Sequence, residues 1–444
     1  MPHVAFVPLI GFRIVNPRLL ELGLTLPGLA ARGNALSELP ALGLLTLAGL
    51  LPDDWTASYH AAPAVTDALI AEIIATQPAL VAVSALTASV PEAYRLSDRL
   101  RTGGCRTVLG GLHATACPDE AGRHFDAVVV GDGEPVWPAL LTDAARDRLR
   151  PQYYASDWKF PETSPIPRWS LIPGGRLARY TLQTQRGCPL ACSFCAASRL
   201  LGRYREKPVA QVRRELTAIR EHTGPHRPLL ELADDNTFAG PTPRFDLLET
   251  LADSGLPYFT ENDWRLGERP ELLARLARSG CRQVLIGVES LVFRYPGMGG
   301  KQAEFDRICR AIDAIQQAGV SVNACFIVGA DGETRQSLDR LAQFLETADF
   351  ADVQVTLQTP FPGTALYRQL QRQGRLRRDQ GWSAYTLFDV TYQPDAMTVP
   401  ELETGFLEVL QRVYADGPSR QRQRLRNQIW RIARPRNPRE ESSV

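Results

Sequence analysis

Arg186-Gly187-Cys188-Pro189-Leu190-Ala191-Cys192-Ser193-Phe194-Cys195 sets three cysteines at C-x3-C-x2-C spacing. A strand-like run at 181–184 ends just before it. Three thiolates on one loop are one short of the four that close a structural zinc site or a cubane iron–sulfur cluster. A metal held by three protein ligands keeps an open position, where substrate chemistry takes place. Zinc would need a fourth ligand close by. His222 and His226 have H-x3-H spacing, but a helix-like run intervenes. Chance clustering of buried cysteines is the other plain reading.

From Tyr180 onward, strand-like and helix-like runs alternate. Strands are expected at 181–184, 229–232, 258–260, 283–288, 321–328 and 352–359. Helices are expected at 209–221, 241–253, 270–278, 304–317 and 334–347, with apolar residues three and four apart, as in Leu272, Leu273 and Leu276. This alternation suits an open partial (β/α)6 barrel better than a closed eightfold one. Chemistry then belongs at the carboxyl ends of the strands, and the cysteine loop follows the first of them.

The first part of the chain alternates as well. Strands are expected at 4–10, 56–59, 80–84, 107–109 and 127–130, and helices at 39–51, 66–76 and 91–102. Continuous apolar strands separated by helices predict a Rossmann-like parallel sheet covered on both faces. Glycines sit just past strand ends, at Gly110, Gly111, Gly131 and Gly133, where open α/β sheets bind ligands. The predicted division is a sheet domain at 1–150, a proline- and aromatic-rich linker at 151–172, the barrel at 173–385 and a short helical region at 386–444. Within the last, 400–414 reads as a helix, and 420–439 hold eight arginines and no acid. Leu425, Ile429 and Ile432 share a helical face, so a basic amphipathic helix at an anionic membrane is one reading and a solvated tail the other.

Composition narrows the class. A net charge of +1 over 444 residues does not advertise nucleic acid as a partner. The longest apolar stretch, 39–51, is broken by Pro40, Gly43 and Gly49 and falls short of the roughly 18 residues a spanning helix needs. Met1-Pro2-His3-Val4 lacks the basic start of a secretory signal. Eight cysteines, three of them clustered, look unlike a disulfide framework and predict a reduced, cytoplasmic setting.

The run Arg186-Gly187-Cys188-Pro189-x-x-Cys192-x-Phe194-Cys195 resembles the signature loop of the radical S-adenosylmethionine (radical SAM) superfamily. The resemblance implies a [4Fe-4S] cluster on Cys188, Cys192 and Cys195, with SAM chelating the fourth iron and Phe194 near the adenine. Gly287-Val288-Glu289-Ser290 looks like the family's ribose segment, and a carboxylate suits two ribose hydroxyls. Residues 325–329, with Ile327 at the centre, look like the adenine segment, although the family usually has glycine where Cys325 stands. Asp234, Asp235 and Asn236 end the second strand where the family binds the SAM amino group, and Glu261 follows the third strand. A helix N-cap and turn explains the Asp234 loop equally well. The basic run 202–208 reads either as a screen for cluster charge or as a solvated helix entry.

Ser84-Ala85-Leu86-Thr87, then Gly110-Gly111, Leu112-His113-Ala114-Thr115 and Gly131-Asp132-Gly133-Glu134, resemble the series in cobalamin (B12)-binding domains. Small residues at strand ends let a nucleotide tail slide in, and Ser84 and Thr87 can hydrogen-bond it. Contacts are expected at Ser84, Leu86, Thr87, Gly110, Gly111, His113, Gly131 and Glu134. The D-x-H-x-x-G loop that gives cobalt a histidine should fall before the 39–51 helix, but 34–43 hold no histidine. The resemblance therefore implies cobalamin without a histidine ligand, or a domain that has lost it. His60 and His113 read as ordinary loop residues.

The order of modules is similar to class B, cobalamin-linked radical SAM enzymes. The implied reaction is methylation of an unactivated carbon in a small or lipid-like metabolite, driven by a 5′-deoxyadenosyl radical. An electron donor such as flavodoxin or ferredoxin is implied. The alternatives are a radical cyclisation, rearrangement or oxidation without methyl transfer, and a non-catalytic corrinoid- or metal-binding protein. No residue stands out as a catalytic acid or base.

Overall fold

The computed structural model describes residues 1–9, 14–26, 39–62, 64–155, 160, 164–172 and 177–432. Residues 34–38, Trp158, Pro161 and the arginines after residue 432 lie outside these. The first sheet contains β1 (His3–Leu9), β2 (Thr56–Tyr59), β3 (Leu80–Ala85), β4 (Thr107–Gly110), β5 (Ala127–Val130) and β6 (Gln152–Tyr154), all parallel, in the order β2-β1-β3-β4-β5-β6. Central β1 shows why continuous apolar runs predicted it. Val4 and Phe6 face Leu44 and Trp137, while Ala5, Val7 and Leu9 share the opposite core with Ile70, Ile73 and Leu96. Strand order reverses between β1 and β3, which places a ligand crevice at their carboxyl ends.

Several elements differ from expectation. Gln152–Tyr154 extends the sheet into the stretch read as linker, and the helix Trp137–Ala145 was not read from the sequence. The helix expected at 39–51 is only Leu42–Ala48. Its end is set by the chain crossing it: Arg168 N donates to Leu45 O at 3.0 Å, and a Cβ on Gly49 would lie 2.1 Å from Ile166 O.

The barrel strands are β7 (Arg179–Leu182), then past a short ribbon of β8 (Gln185–Arg186) and β9 (Arg205–Glu206), β10 (Leu229–Leu232), β11 (Tyr258–Asn262), β12 (Cys281–Glu289), β13 (Ser321–Val328) and β14 (Asp352–Leu357). The six main strands pair in parallel and in chain order, the arrangement of an open (β/α)6 barrel. Amphipathic helices such as Phe305–Gln317 and Arg335–Thr347 bury Ile308, Ile312, Leu338 and Leu341 against it.

Beyond the barrel, Val399–Val413 begins at a capping box, Thr398 with Glu401. The arginine-rich segment forms the helix Asp416–Ile432 and lies across the amino ends of β12, β13 and β14. Arg422 donates to Leu345 O and Val413 O, Arg426 to Ala351 O, and Trp430 Nε1 to Arg282 O at 2.8 Å. Ile429 is buried in this contact, whereas Ile432 is exposed, so the apolar face expected at a membrane is largely used within the chain. No helix among the described residues is long and apolar enough to cross a membrane.

Several contacts join the sheet domain to the rest. Asp389 accepts from Val15 N at 3.0 Å and Asn16 N at 2.7 Å, just before the helix Pro17–Thr25. Trp382 Nε1 donates to Glu120 at 2.7 Å, and its ring meets His113 edge-on at 5.0 Å. Arg186 pairs with Asp132 and Glu134.

Candidate active site

The cysteine loop springs from the ribbon at the carboxyl end of β7. Cys188, Cys192 and Cys195 are free thiols. Burial pushes all three up, Cys192 to about 11, and Cys195 also raises Cys188 while both raise Cys192. Among the described residues no three side chains converge on a single metal ion. A cubane asks for something else: each thiolate takes a different iron. The loop fits that demand. Asn236 Nδ2 points at Cys188 Sγ at 3.8 Å and Ser198 N at Cys195 Sγ at 3.5 Å, donors of the kind that tune cluster sulfurs. The loop is also pinned from outside. Ala191 N donates to Gly297 O at 3.0 Å, Ser193 N to Pro296 O at 2.8 Å, and Leu366 N to Ser193 O at 2.9 Å. Gly297 has φ +85°, and a Cβ there would sit 2.0 Å from Ala191 O. Phe194 packs edge-on against buried Tyr295 at 4.6 Å, in a small apolar cluster with Ile327, Phe293 and Met298.

Glu289 ends β12 where the register with β13 shifts, at φ 70°, which is strained for a residue with a Cβ. Its carboxylate forms a buried ion pair with Lys301, whose carbonyl is fixed by Trp264 Nε1 at 2.8 Å. A Cβ at 287 would lie 2.2 Å from Glu289 Oε1 and 2.6 Å from Lys301 Nζ, so a side chain there would displace the ion pair. Ser290 donates to Glu333, which also accepts from Gly329 N at 2.7 Å. Burial pushes Glu333 up to about 7.

The loop after β10 divides its labour. Asp234 accepts from Thr184 N (2.7 Å), Thr184 Oγ1, Gln185 N (3.1 Å) and Thr237 Oγ1 (2.9 Å). Those four donors fill its lone pairs, so it builds the loop and has nothing left to offer a ligand. Asp235 accepts from Gly187 N at 2.9 Å and, through burial and neighbouring Asp234, rises to about 6. Asn236 is clamped to Asp263 (2.9 Å), which Arg265 grips in turn. Glu261 lies on the face of β11 opposite buried Tyr258 and Thr260. Its side chain is exposed, yet the protein packed around it and the carboxylates of Asp235, Glu231, Asp234 and Glu289 push it up to about 8.

At the edge of the first sheet, Ser84 lies beside Gly111 (φ +106°), with 3.6 Å from its Oγ to where a Cβ would stand. Gly110 faces open space apart from Val129 at 3.9 Å, Gly131 has φ +88°, and Leu86 is 40% exposed. This bare edge fits a slender nucleotide tail. Three expected contacts point elsewhere. Thr87 is buried, in a turn under Trp382–Ala384. His113 is buried beneath Trp382 and beside Tyr94. Glu134 is bound to Arg186 at 2.8 Å. Lys301, Tyr295, Asp263 and Arg186 were not anticipated as site residues. The glycine-rich run 297–301 was the one local signal for the first.

A half-barrel with an open three-cysteine loop, joined to a parallel sheet with a bare carboxyl edge, defines a two-module metallocofactor enzyme. Comparisons sharpen the class. The model of the radical SAM superfamily matches residues 182–345, and that of the B12 binding domain matches 28–141. Bacteriochlorophyllide d C-12(1)-methyltransferase of Chlorobaculum tepidum is 26% identical over 345 residues, 76% of this chain and 74% of that protein. Hopanoid C-2 methylase of Rhodopseudomonas palustris is 27% identical over 77% of this chain and 66% of its own length. The fold matches that of the cobalamin-dependent SAM radical enzyme OxsB with a TM-score of 0.68, at 16% identity over 91% of this chain and 66% of that one. The chain thus carries a B12-binding module followed by a radical SAM module, the pairing of cobalamin-linked radical SAM enzymes.

Proposed function

We propose that Cys188, Cys192 and Cys195 hold the [4Fe-4S] cluster, and that the chain methylates an unactivated carbon of a large, mostly apolar small molecule. One observation carries this reading: the cysteine loop sits at the carboxyl end of β7, tied through Arg186 to the cobalamin-type edge of the other sheet. When bound, the cluster and SAM supply a 5′-deoxyadenosyl radical, and cobalamin supplies the methyl group. Glu289 and Ser290 hold the SAM ribose, the backbone at Ile327 and the ring of Phe194 hold the adenine, and Asp235 with clamped Asn236 faces the amino group. Glu261 stands at the floor of the site. Ser84, Leu86, Gly110, Gly111 and Gly131 receive the cobalamin tail.

Leu291 and Val292 are 43% and 49% exposed just past the end of β12. Together with relatives named for bacteriochlorophyllide and a hopanoid, they support an apolar substrate. A flavodoxin- or ferredoxin-type donor delivers the electron in the reducing cytoplasm. Any contact with anionic lipid falls to outward arginines such as Arg420, Arg424 and Arg431 rather than to an apolar face. Anaerobic reconstitution with iron and sulfide tests the reading. The protein should turn brown, make 5′-deoxyadenosine from SAM under reductant, and yield a product heavier by one methyl group. Cys192→Ala should lose the colour and the SAM cleavage, and a wild-type protein that takes up no cluster sinks the proposal.

A further inference from the structure

The cysteine loop is closed at its base by the two-stranded ribbon of β8 and β9. In that ribbon Arg186 stands directly opposite Arg205, with Gln185 opposite Glu206. Like charges facing each other across an antiparallel pair push the strands apart. Within the ribbon Glu206 turns instead to Tyr204 and Arg244, and Asp235 of the same module acts on both arginines through space. Carboxylates that pair with them directly come from the other module, out of Gly131-Asp132-Gly133-Glu134 after β5. Arg186 Nη1 meets Asp132 Oδ1 at 2.6 Å and its Nη2 meets Glu134 Oε1 at 2.8 Å. Asp132 bridges to Arg205 through its second oxygen. All four side chains are largely shielded from solvent, at 11–14% exposure, so screening by water and salt is weak. Gln183 Oε1 completes the set around Arg186 at 2.8 Å.

We infer that Asp132 and Glu134 are positioning residues for the iron–sulfur loop. They pair directly with Arg186 and Arg205, so the ribbon that carries Cys188 to Cys195 closes more tightly against the docked cobalamin-type sheet. The inference rests on reading the three cysteines as cluster ligands, but the clasp itself can be measured without metal.

Amide hydrogen exchange of the full-length apoprotein reads it directly. Asp132→Asn/Glu134→Gln keeps shape and removes both charges, leaving the arginines face to face. Exchange over residues 185–206 should rise at least tenfold, with β1 and β3 unchanged. Adding Arg205→Gln removes the repulsion and should restore most of the protection. After reconstitution, the double variant should show a blunted SAM-induced change in the electron paramagnetic resonance of the reduced cluster, and the triple variant should regain it. Unchanged exchange in the double variant, or no recovery on adding Arg205→Gln, overturns the inference. Should the double variant fail to fold, Glu134→Gln alone is expected to raise exchange about threefold, and no rise overturns the inference equally. If the wild type takes up no iron while exchange still responds as described, the cluster reading fails and the clasp stands.

Discussion

Lys301→Met tests whether the Glu289 carboxylate is held by a desolvated partner. The two side chains are 8% and 10% exposed, Glu289 occupies a strained backbone conformation, and Gly287 leaves the room in which the pair forms. Removing one member of such a pair leaves a buried charge unpaired, which costs about 3–5 kcal/mol. Glu289→Gln strands the lysine instead and should cost a similar amount. The double variant leaves two neutral groups and should cost far less than the sum, with a coupling of about 2 kcal/mol or more. Urea unfolding of the four apoproteins, followed by circular dichroism, measures the cycle. Calorimetric titration of SAM provides the functional arm: both single variants should weaken binding at least tenfold, a loss of about 1.4 kcal/mol. Single variants that each cost less than about 1 kcal/mol and simply add would show a pair screened by water, as surface pairs are, and would refute the reasoning.

Gly297→Ala puts a Cβ 2.0 Å from Ala191 O at φ +85°, so the cysteine loop must shift; iron retained after reconstitution should fall by more than half, as measured by iron assay. Glu333→Gln should flatten part of the pH dependence of stability. The folded protein holds the Glu333 proton up to about 7 while the unfolded chain releases it near 4.5, so stability falls as pH rises across that window by up to about 3 kcal/mol, and unfolding midpoints from pH 4.5 to 7.5 read the difference. Trp382→Ala removes the ring over His113 and the bond to Glu120, and the exposed chain around residue 382 should be cut by protease at least fivefold faster; an unchanged rate would show that Trp382 does not hold the segment down.

The strands were legible because most are continuously apolar and end in glycine or acid, as at β5 and β12. The cysteine spacing announced its own chemistry. β6 was not legible: Gln152–Tyr154 is short and mostly polar, and joins the sheet only because β5 offers an open edge. The arginine-rich helix misled for a related reason. Its guanidinium groups serve carbonyl oxygens at the barrel's amino ends, a use that composition does not distinguish from solvation. Asp234 and Asp235 are neighbours of one type, yet one is consumed by four internal donors and the other stays available. That difference is set by Thr184, fifty positions away. Lys301 and the Asp132–Arg186 pairing are likewise products of tertiary approach, with no periodicity to betray them.

The bond from Asp389 to the backbone of Val15 and Asn16 has a topological consequence. It staples a segment that follows the barrel to one that precedes the first helix, so the polypeptide forms a ring closed by non-covalent contacts. Such a ring stays whole when opened at one place. A chain severed between residues 155 and 164 would still be held by Asp389, by Trp382 on Glu120 and by Arg186 on its carboxylates, so the two fragments should assemble on co-expression into one complex. The covalent connection between the modules is thus the part of the architecture most open to being re-routed.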